Sequence, residues 1–289
     1  MKNVIEKLKE FSKQIDLKER FDFNFDITDN IFSSIESEQL SANKNPFDQN
    51  VRLKWILSEK YKTNAEQNYI DFWIVNNWGG IRGFKPNERN IVKVQRFKKQ
   101  LEKRKLSLDC FSTISSLSKI SSFIDPENFV IYDSRVIYTL NWLILTCENQ
   151  DGFKEQYFPM PSGRNKIIAD FDMNTIVNIS HISEYSQNGD LYITQQKAYF
   201  EFCDFIKANT KLIYGKDSKP YELEMLLFTF LIYQNIVEGT IYLLLKKRHI
   251  SIFAILLNQL QQKCLVKAQI LMNLKYFFSH WLTEKFLKN

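Results

Sequence analysis

A chain of 289 residues, 44% of them hydrophobic, is long enough to bury a substantial core and divides into one or two domains. Eight glycines and six prolines are too few for a turn-rich all-β protein. The net charge of +6 is uneven: residues 235–289 carry eight Lys and Arg against two acids, and 1–234 is neutral overall.

Residues 1–20 read as a helix with Val4, Ile5, Leu8 and Phe11 on one face. This amphipathic, charged start is unlike a secretion signal. Phe21-Asp22-Phe23-Asn24-Phe25 alternates and predicts a short strand or an extended packing arm. Residues 41–50, SANKNPFDQN, read as a loop. Residues 51–61 and 64–77 then give two helices, the second ending at Trp78-Gly79-Gly80. Residues 87–105 form a helix with Ile91, Val94, Phe97 and Leu101 on one side. The stretch 82–105 holds ten cations against Glu88 and Glu102. It is either a solvated surface or a phosphate-contacting face through Lys93, Arg96 and Lys99.

The chain is organised around 111–145. Leu117, Ile120, Phe123 and Ile124 keep helical spacing up to Asp125-Pro126, where proline disfavours helix at the residue before it. Phe129-Val130-Ile131-Tyr132 carries the chain back inside, and Asp133 stands as N-cap of a helix through Val136, Leu140, Leu143 and Ile144. Lys119 and Asp133 can thereby face a common cleft. Residues 148–189 are polar and read as a long loop with one helix near 176–180. Two further helices are expected at 191–208 and 221–237, the latter with Glu222 and Glu224 in its first turn. From 241 the chain is lysine-rich, and Lys246-Lys247-Arg248-His249 breaks its apolar runs below membrane-spanning length. It predicts two or three amphipathic helices, which form an accessory bundle, a segment for a protein partner or an extension produced by a frameshift.

The pattern of an apolar helix bearing Lys119, a short connection and then apolar-apolar-apolar-Asp133 resembles the helix-hairpin-helix DNA glycosylase superfamily. The likeness is greatest to its 8-oxoguanine-glycosylase-like bacterial branch. It covers about 69–230 and includes Phe72-Trp73-Ile74, Tyr157-Phe158-Pro159, Gly163-Arg164-Asn165 and 221–228. The hairpin glycines of that superfamily are absent: Ile114-Ser115-Ser116-Leu117-Ser118 stands in their place. The resemblance implies a mainly α fold with a helical glycosylase-like domain at 51–237, preceded by a helix and arm at 1–50 and followed by a basic helical extension at 238–289. It implies a double-stranded DNA partner with a flipped base, either a damaged purine or a modified phage base. Lys119 would be the Schiff-base nucleophile and Asp133 the carboxylate that stabilises positive charge on the sugar. Arg135, Arg164, Asn165, Trp78 and Tyr132 would contact DNA or the base. The other class of function open to the sequence is a non-catalytic DNA-binding or interaction protein on the same scaffold. The missing glycines favour it, because such glycines let backbone amides approach a phosphate.

Cys110, Cys147, Cys203 and Cys264 form no C-x-x-C pair, and His181, His249 and His280 have no metal-pair spacing. Neither zinc nor an iron–sulfur cluster is expected, and no cofactor. Scattered cysteines point to a reducing cytoplasm, with no membrane association.

Overall fold

The computed structural model describes residues 1–27, 31–63, 67–147, 156–162, 172–180 and 191–233, with side chains omitted at 179–180 and 231–233. The fold is mainly helical, and the one β pairing among the described residues is an isolated parallel bridge between Tyr157 and Tyr192. Met1–Asn235 form one compact unit. The extension at 238–289 lies outside the described residues, as do Arg164 and Asn165.

Helix α1 (Lys2–Gln14) and the short α2 (Leu17–Arg20) replace the single helix expected over 1–20. Asp16 divides them by accepting the Lys18 amide, an N-cap within the span. Phe21–Phe25 is an arm, not a strand, and it packs by aromatic edges. Phe21 lies 5.7 Å from Phe228, and Phe23 lies 4.9 Å from Trp78.

Residues 41–50 are largely helical, contrary to the loop expected there. Helix α3 (Ser34–Ser41) opens on a capping box between Ser33 and Glu36. Helix α4 (Pro46–Lys62) starts with proline at its first turn and Asn45 as N-cap. Proline there breaks nothing, because its missing N–H would have been unpaired anyway. Helix α5 (Gln67–Trp73) runs into a π-helical turn (Ile74–Trp78), and Gly80 then takes φ +65 to send the chain into the next loop.

Helix α6 (Glu88–Lys103) is capped by Asn87. Helix α7 (Leu108–Phe111) and α8 (Ile114–Ile124) follow with a two-residue joint. Ile114–Ser118 therefore lies inside α8 and forms no hairpin turn. Helix α9 (Ser134–Thr146) is buried continuously from Val136 to Leu145 and packs against α1, α10 (Met173–Ser180) and α12 (Pro220–Tyr233). Helix α11 (Gln195–Tyr214) packs on α1, α7 and α12. Helix α8 is buried against α4, α6, α7 and the π turn.

Between α8 and α9 the chain at Phe129–Tyr132 is extended and largely buried, with no neighbouring strand among the described residues. Its polar backbone groups are satisfied by side chains instead. The Ile131 amide donates to Glu224 Oε2 at 3.2 Å, and the Tyr132 amide to Ser118 Oγ at 2.9 Å. The Val130 carbonyl accepts from the Tyr199 hydroxyl at 3.2 Å. The same device holds 156–162 against α9. Asn141 Nδ2 donates to the Phe158 carbonyl at 2.7 Å, and the Phe158 amide donates to Asn141 Oδ1 at 2.9 Å. Replacing Asn141 with Ala strands both buried backbone groups, at about 1–3 kcal/mol each. Asn141→Ala is expected to lower stability by at least about 2 kcal/mol in a urea titration. A loss within 0.5 kcal/mol would show that the segment is held by other contacts.

Candidate functional site

Lys119 lies on α8 one residue past Ser118, and Asp133 one residue past Tyr132. The Tyr132 amide to Ser118 Oγ bond therefore fixes the two positions beside each other. Asp133 behaves as the N-cap that the sequence predicts: its Oδ1 accepts the Arg135 and Val136 amides, both at 3.0 Å. Lys119 is only 7% exposed, and its Nζ donates to the Ser115 carbonyl one turn earlier at 3.0 Å. Burial holds this amine below the ordinary lysine range. Asp133 and Glu224 pull it back up, and the Arg135 guanidinium pushes it down.

Two further groups complete the cluster. Lys54 on α4 is buried, with Nζ 3.2 Å from Ser122 Oγ and 4.8 Å from the Phe123 ring centroid. Burial lowers its proton affinity, Glu224 raises it and Lys119 lowers it. Glu224 on α12 is buried and pushed up to about 7, first by burial; the Lys54 charge and the Ile131 amide work against that rise. Four ionisable groups thus meet from α4, α8, α12 and the start of α9. Among the described residues neither lysine makes an ion pair within 4 Å, so the groups act on one another by proximity through a poorly solvated interior.

Gly79 explains how Lys119 fits. A Cβ at Gly79 would stand 2.8 Å from Lys119 Cδ and 2.9 Å from the Val75 carbonyl oxygen. The glycine is required by close approach, since its φ of −80 is ordinary.

The other sequence candidates divide. Arg135 sits at the cluster, its guanidinium 4.7 Å from the Phe228 ring. Trp78 is 6% exposed; its indole Nε1 donates to Asn50 Oδ1 at 2.8 Å, and its ring packs on Phe123. It is a core residue, covered on the face a base would need. Tyr132 is fully buried, its hydroxyl donating to the Pro159 carbonyl at 2.8 Å. On α6, Lys93 is buried and paired with Asp109 at 2.9 Å, and Arg96 pairs with the same carboxylate at 3.2 Å. Their charge is thus directed to an acid of the same face, which weakens a phosphate-contact role. Lys99 is exposed.

Lys54, Glu224, Gly79 and Ser118 escaped sequence reading. The signal for Lys54 was present: it sits between Leu53 and Trp55, one turn before Leu57 and Ser58. Ser162, the last described residue before Arg164, accepts from Ser115 Oγ at 3.2 Å, one turn from Lys119.

Among the described residues, no group of three or more His, Cys, Asp and Glu side chains could hold a metal ion, and no helix is long and apolar enough to cross a membrane. No family model, no curated protein and no solved structure matches this chain.

Two measurements probe the cluster. Glu224 ionises at about 7 when folded against an ordinary 4.5, so the folded chain holds a proton that the unfolded chain releases between those values. Stability linked to Glu224 is complete below about 4.5 and lost as pH rises through about 7, a change of up to about 3 kcal/mol. Glu224→Gln is expected to match the wild type at pH 4.5 and exceed it at pH 8 in urea titrations. Parallel pH curves would refute the burial of an ionisable Glu224. Gly79→Ala is expected to cost about 1–3 kcal/mol by overpacking, with displacement of Lys119 visible in a crystal structure of the variant. An unchanged melting temperature would show that the contact is not tight.

Proposed function

We propose that this chain is a DNA glycosylase-like protein that everts a damaged or modified base and excises it, with Lys119 as nucleophile. The observation that supports this reading is the adjacency of a buried amine, its proton affinity lowered by burial, to the capping carboxylate of Asp133. A neutral Lys119 Nζ would attack the sugar C1′. The glycosidic C–N bond would break, and the base would leave with its electron pair and take up a proton. The C1′–O4′ bond would then open, O4′ leaving with its electron pair and taking up a proton, and the nitrogen lone pair would form the protonated Schiff base, which water hydrolyses or which undergoes β-elimination of the 3′ phosphate. Asp133 would stabilise the cationic sugar in the transition state. Attack requires Lys119 to leave the Ser115 carbonyl.

A second reading has its own support. Lys119 Nζ is engaged by its own helix, and Asp133 Oδ1 is engaged by two cap amides. That is the arrangement of a non-catalytic DNA-binding or interaction protein on a helical scaffold.

The readings separate by trapping. With duplexes carrying a panel of damaged and modified bases, borohydride is expected to capture a covalent protein–DNA adduct with the wild type. Lys119→Gln should give none. Asp133→Asn keeps a capping side chain and should lower base release by roughly 100-fold or more. Base release undiminished in Asp133→Asn would defeat the catalytic reading. So would absence of release and adduct from the wild type across the panel.

A further inference from the structure

A cavity of about 510 Å³ is lined by Asp26, Asn76, Asn77, Gly80, Arg82 and Lys85. Its size falls within the roughly 300–1,000 Å³ of small-molecule sites. It adjoins the cluster through the chain itself: Gly80 follows Gly79, which lies against the Lys119 methylenes. The positive φ of Gly80 turns the backbone along the cavity wall.

Two features of the wall call for a ligand. Arg82 and Lys85 are exposed and make no ion pair among the described residues, in contrast to Lys93 and Arg96 on α6. They are carried three residues apart on a turn closed by the Phe84 amide and the Ile81 carbonyl at 3.1 Å. Against them stands one acid, Asp26. In addition, Asn76 Oδ1 is a buried acceptor with no hydrogen-bond partner. An unmet buried acceptor costs about 1–3 kcal/mol and is relieved by a donor.

We propose that this cavity binds one nucleotide unit, with its phosphate on Arg82 and Lys85 and a donor of its base or sugar on Asn76 Oδ1, which the side chain must turn from its shielded position to present. A bare phosphate answers the two cations, but its own O–H is its only donor and sits on the group the cations already hold. An apolar ligand answers neither. A nucleotide carries an anion and base-edge or hydroxyl donors within one cavity length. The source to which the proposal commits is a DNA strand passing Lys119, so it rests on the reading of the chain as acting on DNA. It moves the phosphate contact from α6 to the loop after the π turn.

The test uses the full chain and a fluorescent oligonucleotide, single-stranded and duplex, titrated at several salt concentrations. Arg82→Ala/Lys85→Ala is expected to weaken duplex binding at least tenfold. It should also flatten the log–log salt dependence by about 0.9, for the one phosphate the two cations share. Lys99→Ala, an exposed cation on α6, should move neither by as much. Asn76→Leu should retain the salt slope and lose discrimination among oligonucleotides differing in one base. Deoxynucleoside monophosphates should compete for the site, and inorganic phosphate at equal concentration should not.

Equal competition by phosphate would overturn the nucleotide assignment. Mononucleotide binding without oligonucleotide binding would overturn the strand as its source. Unchanged binding in Arg82→Ala/Lys85→Ala with base release intact would overturn the cavity and leave the glycosylase reading standing. Weakened binding in that variant, with no base release or borohydride adduct from the wild type, would leave the cavity standing and defeat the glycosylase reading.

Discussion

The buried extended run between α8 and α9 is the constraint on which the rest of the structure depends. Within the nine-residue link from Ile124 to Ser134, Phe129–Tyr132 runs through the core, where unpaired amides and carbonyls are costly. Among the described residues no strand lies alongside to pair with them, and the partners are side chains. Ser118, Tyr199 and Glu224 supply them from α8, α11 and α12. Each bond fixes a helix relative to the run. The Tyr199 hydroxyl also meets Ser121 Oγ at 2.6 Å, which ties α11 to α8 a second time. The serines of α8 are therefore neither incidental nor simply poor helix formers. Ser115, Ser118, Ser121 and Ser122 each hold a different neighbour.

This arrangement brings charge into the core. Burying lysines and carboxylates together seldom stabilises a fold more than apolar residues of similar volume would. A comparison within the molecule separates two kinds of buried charge. Asp71 on α5 is fully buried, but it accepts directly from the Tyr61 hydroxyl at 2.6 Å and from Lys98 Nζ at 2.7 Å. Burial raises its proton affinity, and these partners hold it down. That site is closed: each polar atom named has a contact that explains it. The Lys119 cluster is open by comparison. Its lysines contact a carbonyl, a hydroxyl and an aromatic ring, while the carboxylates that influence them are engaged by backbone amides. Proton affinities displaced without direct ion pairing are what an amine nucleophile requires.

Much of this was legible where the cause is local. Asp133 capping α9 and the stop at Asp125-Pro126 both follow from side-chain chemistry within four residues. So does the mainly helical fold, from apolar spacing. Pro46 misled because proline marks both a loop and a helix start, and only the Asn45 cap distinguishes them. The ion cluster was half legible. Lys119 and Asp133 are 14 positions apart and share a motif, whereas Lys54 and Glu224 come from helices far along the chain. A first-turn glutamate reads as a dipole partner in solvent until its helix is packed. The cations of α6 were counted correctly but their partner was not, since Asp109 reaches Lys93 and Arg96 only after the chain has turned into α7.

The departure from glycine at 114–118 ties these threads together. In a hairpin, glycines expose backbone amides to a phosphate. Here positions 114–118 are turns of a buried helix, and Ser118 braces the extended run. A chain that still handled a nucleic-acid strand at Lys119 would then need its phosphate contact elsewhere, within reach of the same lysine. On the proposed reading, Arg82 and Lys85, carried on the loop that begins at Gly79 and without an ion pair among the described residues, would supply that contact in place of the paired Lys93 and Arg96 of α6. The glycines that matter in this molecule are Gly79 and Gly80. One makes room for the lysine, and the other turns the chain along the cavity wall.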